Sequence, residues 1–184
     1  MSEESTFSRT ILILAAAIVI PVVAVAAYVF FARVPTPYSG QILSVNVYPI
    51  HQDLSQPSTV QGVGGQNETY DQVLILADIR IQAISKVPLF LRDMWANVNL
   101  PTETDRATAV SASDFDKVFI AYPELRQFQK PPLKRDMTLQ PGQQAEGMVI
   151  FSYQMNKATW DARTGTDISL DFIHQKPLVL HIAK

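Results

Sequence analysis

Two hydrophobic patterns divide this chain. From Ile11 to Ala32 the sequence ILILAAAIVIPVVAVAAYVFFA is apolar on every side and carries no charged residue. A helix over this stretch rises roughly 33 Å, against a hydrocarbon core of about 30 Å. The stretch therefore predicts a membrane anchor over 11–32, preceded by a short tail, 1–10. Arg9 and Arg33 bracket it, and Tyr28, Phe30 and Phe31 cluster at its second boundary, where aromatic rings favour the membrane interface. Pro21 lies mid-run, where a membrane helix tolerates it. Ala24-Val25-Ala26 also fits the small-x-small pattern of a cleaved secretory signal. The run exceeds the roughly 7–15 apolar residues of a signal core, and cutting after Ala26 would leave AYVFFA as a bare apolar end, so retention is expected.

Beyond RVPTPYSG (33–40), read as a Pro-stiffened linker, the pattern changes to alternation of period two, the mark of strands with one buried face. In QVLILADIRIQAIS (72–85), Val73, Ile75, Ala77, Ile79, Ile81 and Ala83 share a face, opposite Asp78, Arg80 and Gln82. LFLRDMWANVNL (89–100) sets Phe90, Met94, Ala96, Val98 and Leu100 against Asp93, Trp95, Asn97 and Asn99. The short Lys86-Val87-Pro88 connection predicts that these two strands pair antiparallel. Further strands are expected over 41–49, over 144–155 after a Pro141-Gly142 turn, and as a last hairpin over 167–172 and 178–182. Helical period appears in SDFDKVFIAYPEL (113–125), with Ser113 and Asp116 as a capping box, Pro123 as the stop, and Phe115, Phe119 and Tyr122 as one stripe. A second short turn is expected over 156–163, and a long polar loop over 51–69. Six or more short strands in the segment 41–184 predict a mainly β fold, a two-layer antiparallel β-sandwich with one or two short helices.

Composition narrows the function classes. The chain has 184 residues and a net charge of −2, which gives no electrostatic footprint for a nucleic-acid partner. It has no cysteine, which removes disulfides, lipidation of an N-terminal Cys, Cys-based zinc sites and thiol chemistry together. Arg9 and the terminal amine precede the anchor, and no Lys or Arg stands between Arg33 and Arg80. That asymmetry predicts a cytoplasmic tail and an extracytoplasmic C-terminal domain on the inner membrane.

Two stretches carry a family resemblance. LQPGQQAEGMVIF (139–151) is a Pro-Gly turn leading into a strand with Gly and alternating apolar residues, and DIRIQAISKVPLFLRDMWANV (78–98) is the second. They resemble the turn-and-strand signature and the central hairpin of immunoglobulin-like domains in small uncharacterised bacterial membrane-anchored proteins and lipoproteins. The resemblance implies an immunoglobulin-like sandwich at the cell envelope rather than any one activity.

Chemistry-bearing residues are sparse. Asp114 and Asp116 fit the first turn of a helix, where its dipole favours negative charge, better than a paired-carboxylate site. DARTGTDISLD (161–171) has Arg163 and Gly165 where a calcium loop needs an oxygen ligand and a different Gly spacing, so Asp167, Ser169 and Asp171 read as the solvent face of a strand. GVGG (62–65) lacks the helix a phosphate cradle needs, and Asn67-Glu68-Thr69 is a chance match to a glycosylation acceptor. His51, His174 and His181 are scattered, and no Gly-x-Ser-x-Gly elbow occurs. No cofactor or metal is expected. RQFQKPPLKR (126–135) is the one basic cluster, with Arg126, Lys130, Lys134 and Arg135. It is a candidate contact surface for anionic headgroups or an envelope polyanion, or else a solvated crossover. Trp95 is either part of a contact patch or covered by the 113–125 helix. The expectation is an anchored binding or accessory module of the envelope, without catalysis. Two alternatives stay open. One is an envelope hydrolase with its site in the 51–69 loop or near Asp114 and Asp116. The other is an architectural subunit whose anchor packs through Ala17 and Ala24.

Overall fold

The computed structural model describes residues 17–28, 36–53 and 69–182. The chain divides into two compact units, Met1–Thr36 and Pro37–Lys184. In the first, residues 17–28 are helical, and Ile18, Ile20, Val22 and Val25 stand exposed. Among the described residues no helix is long and apolar enough to cross a membrane. The expected span, 11–32, extends beyond the described residues at both ends, and so does most of the 51–69 loop, including GVGG.

The second unit is mainly β. Sheet A has the order β1 (Tyr38–Asp53), β2 (Thr69–Ala83), β6 (Gln144–Tyr153). Sheet B has the order β4 (Thr104–Thr108), β3 (Leu89–Asn99), β7 (Gly165–Phe172), β8 (Leu178–Ile182), and β5 (Met137–Leu139) pairs with the first residues of β3. All these strand pairings are antiparallel. The alternating residues Val73 to Ala83 of β2 are buried and meet Met94, Ala96 and Val98 of β3, Val149 and Phe151 of β6, and Ile168, Leu170 and Phe172 of β7 in one core between the sheets. The Tyr38 ring stacks on Phe172 at 4.8 Å and closes one end of that core. β1 begins at Tyr38, so the strand takes the last residues of the 33–40 linker.

β2 and β3 do not pair with each other. They lie in different sheets, and the 84–88 connection crosses from one layer to the other. The reason is the second face of β2. Leu74 and Leu76 make it apolar on both sides, so it needs a central position, with β1 and β6 as neighbours. β3 departs from its expected faces as well. Leu89 and Leu91 point inward, a register shift follows at Arg92, and only then do Met94, Ala96 and Val98 face the core. The bulge moves Phe90 off the core face and absorbs the change of parity.

A third layer covers sheet A alone. Helix α1 (Phe115–Ala121) and a 3₁₀ turn (Pro123–Phe128) bury Phe115, Phe119 and Leu125 against Leu74, Leu76, Met148, Ile150 and Ile50. Each such side chain contributes roughly 1.5–3 kcal/mol on burial. Asp114, not Ser113, is the N-cap of α1, and it makes no side-chain capping bond there. Its carboxylate instead accepts from the Ser111 hydroxyl at 2.7 Å and pairs with Lys117 at 2.6 Å. Helix α2 (Lys157–Asp161) forms within the expected 156–163 turn, with the Asn156 side chain accepting from the Thr159 N–H at 2.8 Å.

The 129–136 segment then passes along the free edge of β6. Met148 N–H donates to Pro131 O and Leu133 N–H to Met148 O, both at 2.9 Å. The approach is so close that a Cβ on Gly147 would stand 2.6 Å from the Leu133 nitrogen. Only glycine fits there.

Candidate functional site

Among the described residues no helix covers the outer face of sheet B. Trp95 lies near its centre, half-buried, with the Arg106 guanidinium 4.1 Å from the ring centroid. Thr108 and Ser169 flank Trp95 on the adjacent strands, and Asn97 lies between Arg106 and Asp167. The covering of Trp95 by the 113–125 helix therefore does not occur, because α1 sits on the other sheet. Beside Trp95 opens a shallow cleft of about 490 Å³ lined by Arg92, Asp93, Trp95, Arg106, Arg135, Asp136 and Asp171. Three arginines face three aspartates, so the cleft has no net charge. Arg92 Nε donates to Asp171 at 2.8 Å, and Arg135 donates to the Ala109 carbonyl and lies 3.4 Å from Asp93. Ser169 and Asp171, expected at a solvent face, are buried. Arg92 pairs with Asp171, and Trp95 stands beside Ser169 on the neighbouring strand.

The basic cluster is partly neutralised within the domain, although Arg126 and Lys130 stay exposed. Lys130 pairs with Asp78, which is fully buried on the outer face of β2, and Arg126 Nε donates to the Phe119 carbonyl at 3.2 Å. Lys134 is exposed. Of the five residues singled out from the sequence, the fold brings Arg135 and Trp95 to one cleft and sends Arg126 and Lys130 to the other sheet. Arg92 and Arg106 were not singled out. Their signal in the sequence was an arginine three residues before Trp95 on the same strand and another on the next strand, readable only once bulge and register are known.

A second cleft, of about 500 Å³, lies at the end where β2 begins and β6 ends. Its lining includes Asp71, Glu103, Asp105, Gln154, Asn156 and Thr159, with no Lys or Arg among the lining residues. Asp71 is held by His51 at 2.6 Å. His181 bonds Asp167 on the outer face of sheet B, and His174 occupies the β7–β8 turn with φ of 60°. Among the described residues no group of three or more His, Asp or Glu is close enough to hold a metal ion. Asp114 is held below the usual carboxylate range by Lys117 and Ser111, and Asp116 accepts from Gln129 at 3.3 Å. Neither carboxylate meets a histidine.

No family model matches the chain, and no curated protein does. Among solved structures, one that it is similar to is the X-ray structure of a Northeast Structural Genomics Consortium target, SoR45, at 8% identity and a TM-score of 0.32. The match covers 76% of this chain and 83% of that one. A likeness that loose carries no conclusion.

Proposed function

We propose that this protein is a single-pass inner-membrane protein that holds an immunoglobulin-like β-sandwich outside the cytoplasm. It uses the bare face of sheet B, around Trp95 and Arg106, to bind another protein of the envelope. The observation that carries the reading is the unequal treatment of the two sheets. The apolar outer face of sheet A is sealed by α1, while the outer face of sheet B stays open with a half-buried Trp95 under an arginine. Trp and Arg are the side chains enriched at the energetic centres of protein interfaces. A small-molecule site would need an enclosed, largely apolar pocket, unlike this shallow ionic cleft.

The charge balance selects among partners. A polyanionic polymer gains little from three arginines already matched by three aspartates, whereas a protein surface can match both signs. The anchor rests on the uncharged run 11–32, and the orientation on the absence of Lys or Arg from Arg33 to Arg80. The geometry adds nothing to the hydrolase alternative, since Asp114 and Asp116 are engaged by Lys117, Ser111 and Gln129.

The test is recovery of partners with the full-length chain, extracted from its own membranes. Replacing Trp95 and Arg106 together by alanine should lower recovery of a specific partner about tenfold or more, as loss of an interface hot spot does, with the unfolding midpoint nearly unchanged. Equal recovery by the variant sinks the assignment of this face. A reporter fused after Lys184 that works only outside the cytoplasm tests the orientation.

A further inference from the structure

The end of the sandwich at which the chain enters has an unusual surface. Four short segments meet there: Pro37, the 84–88 crossover, the 140–143 turn and the 173–177 turn. They are tied together by backbone bonds. Pro37 O accepts from the N–H groups of Ile84 and Ser85, both at 2.8 Å. Ala83 exchanges bonds with Gln143 and Gly142 at 2.9 and 3.0 Å, and the Tyr38 hydroxyl donates to the Lys176 carbonyl. On this braced platform Ile84 is 57% exposed, Val87 59% and Ile173 38%. Lys86 and Lys176 are the only charged residues in the four segments, and both are exposed. Apolar side chains with lysines and no acid make a surface suited to the boundary between headgroups and acyl chains.

Chain length supplies the second, independent argument. Only Arg33 to Thr36 separate the apolar run from Pro37. Four residues reach at most about 14 Å when fully extended. β1, at 16 residues, is about 53 Å long, so the far end of the domain is not held near the apolar run by this tether, whereas Pro37 is. If 11–32 is anchored, the Pro37 end is the one held within reach of lipid.

We infer that this end of the domain, through Ile84, Val87, Ile173, Lys86 and Lys176, seats on the surface of an anionic bilayer and holds the sandwich upright. The inference rests on the anchor reading above. It differs from the basic cluster at 126–135, where Lys130 and Arg135 are paired with Asp78 and Asp93. Seating turns a tethered domain into an oriented one, with the far end directed away from lipid.

The absence of cysteine makes the test clean. The full-length chain carries a single nitroxide label at Val87→Cys or, for comparison, at Thr102→Cys on the exposed β3–β4 turn at the far end. It is reconstituted in vesicles of phosphatidylcholine with phosphatidylglycerol, and collisions with oxygen and with a water-soluble nickel chelate are measured. The expected ratio of oxygen to nickel accessibility is several-fold higher at position 87 than at 102. Adding Lys86→Glu and Lys176→Glu should remove most of that difference. If the chain resists carbonate extraction while both labels are equally open to nickel, the seating is overturned and the anchor stands. Release by carbonate overturns the anchor reading and the seating with it.

Discussion

The two sheets of this domain treat their outer faces in opposite ways, although both face the same core. β2 of sheet A is apolar on both sides over Val73 to Ala77, and its outer face is closed by Phe115, Phe119 and Leu125. β3 of sheet B alternates cleanly after its bulge, and its outer face remains polar, ion-paired and open. The difference teaches that burial of a strand face and availability of a strand face can be separated within one sandwich. Substitutions on the first should be felt as lost stability, and on the second as lost binding.

The largest effect is expected at Phe119. Phe119→Ala empties the layer over sheet A and should cost about 3–5 kcal/mol in urea unfolding, against under about 1 kcal/mol for Arg106→Ala, which loses only an exposed cation–π contact. Similar losses at the two sites would erase the distinction between the faces. Next comes Lys130→Met, which leaves the fully buried Asp78 carboxylate without its cation. The cost should be about 2–3 kcal/mol, below that of a wholly buried pair because Lys130 is itself half-exposed. Combining it with Asp78→Leu should recover most of the loss, and failure to recover would show that an unpaired Asp78 charge is not its cause. Gly147→Ala pushes a Cβ into the backbone of Pro132 and Leu133 and should cost about 1–3 kcal/mol by displacing the 129–136 segment.

A smaller effect comes from pH. Tyr153 is buried and donates to the Ala96 carbonyl at 2.7 Å, and burial lifts its phenol far above the tyrosine range. Because the folded value is raised, the stabilisation is complete below the ordinary tyrosine pKa of about 10 and falls away as pH rises above it. Tyr153→Phe should cost about 1 kcal/mol at neutral pH and flatten that alkaline decline. An unchanged decline in the variant would assign it to other groups.

The fold was legible where period two was uninterrupted. The inward set from Val73 to Ala83 and the closing hairpin expected over 167–172 and 178–182 follow directly from alternation. Alternation along one strand says nothing of its neighbours, which is why β2 and β3, joined by five residues, fall in different sheets. It also cannot show a bulge, so the parity change at Arg92 shifted Phe90 to the wrong face. The candidate site was harder to read for a related reason. In sequence, Arg126 to Arg135 form a basic run without acids. In space, Asp78, 52 positions away from Lys130, and Asp93 supply them. The exposed Ile84 and Val87 had one local signal, two β-branched residues placed inside a Ser-Lys-Pro turn, where no strand could bury them.

The central claim is that the open face of sheet B, and not the helix-covered face of sheet A, meets a partner. Photo-crosslinking in intact membranes tests it most directly, with a photoreactive residue placed in the full-length chain at Asn97 on the open face or at Ile120, an exposed apolar residue of α1. The account predicts a discrete adduct from position 97 that disappears with Arg106→Ala, and none from 120. An adduct from 120 with nothing from 97 would contradict it.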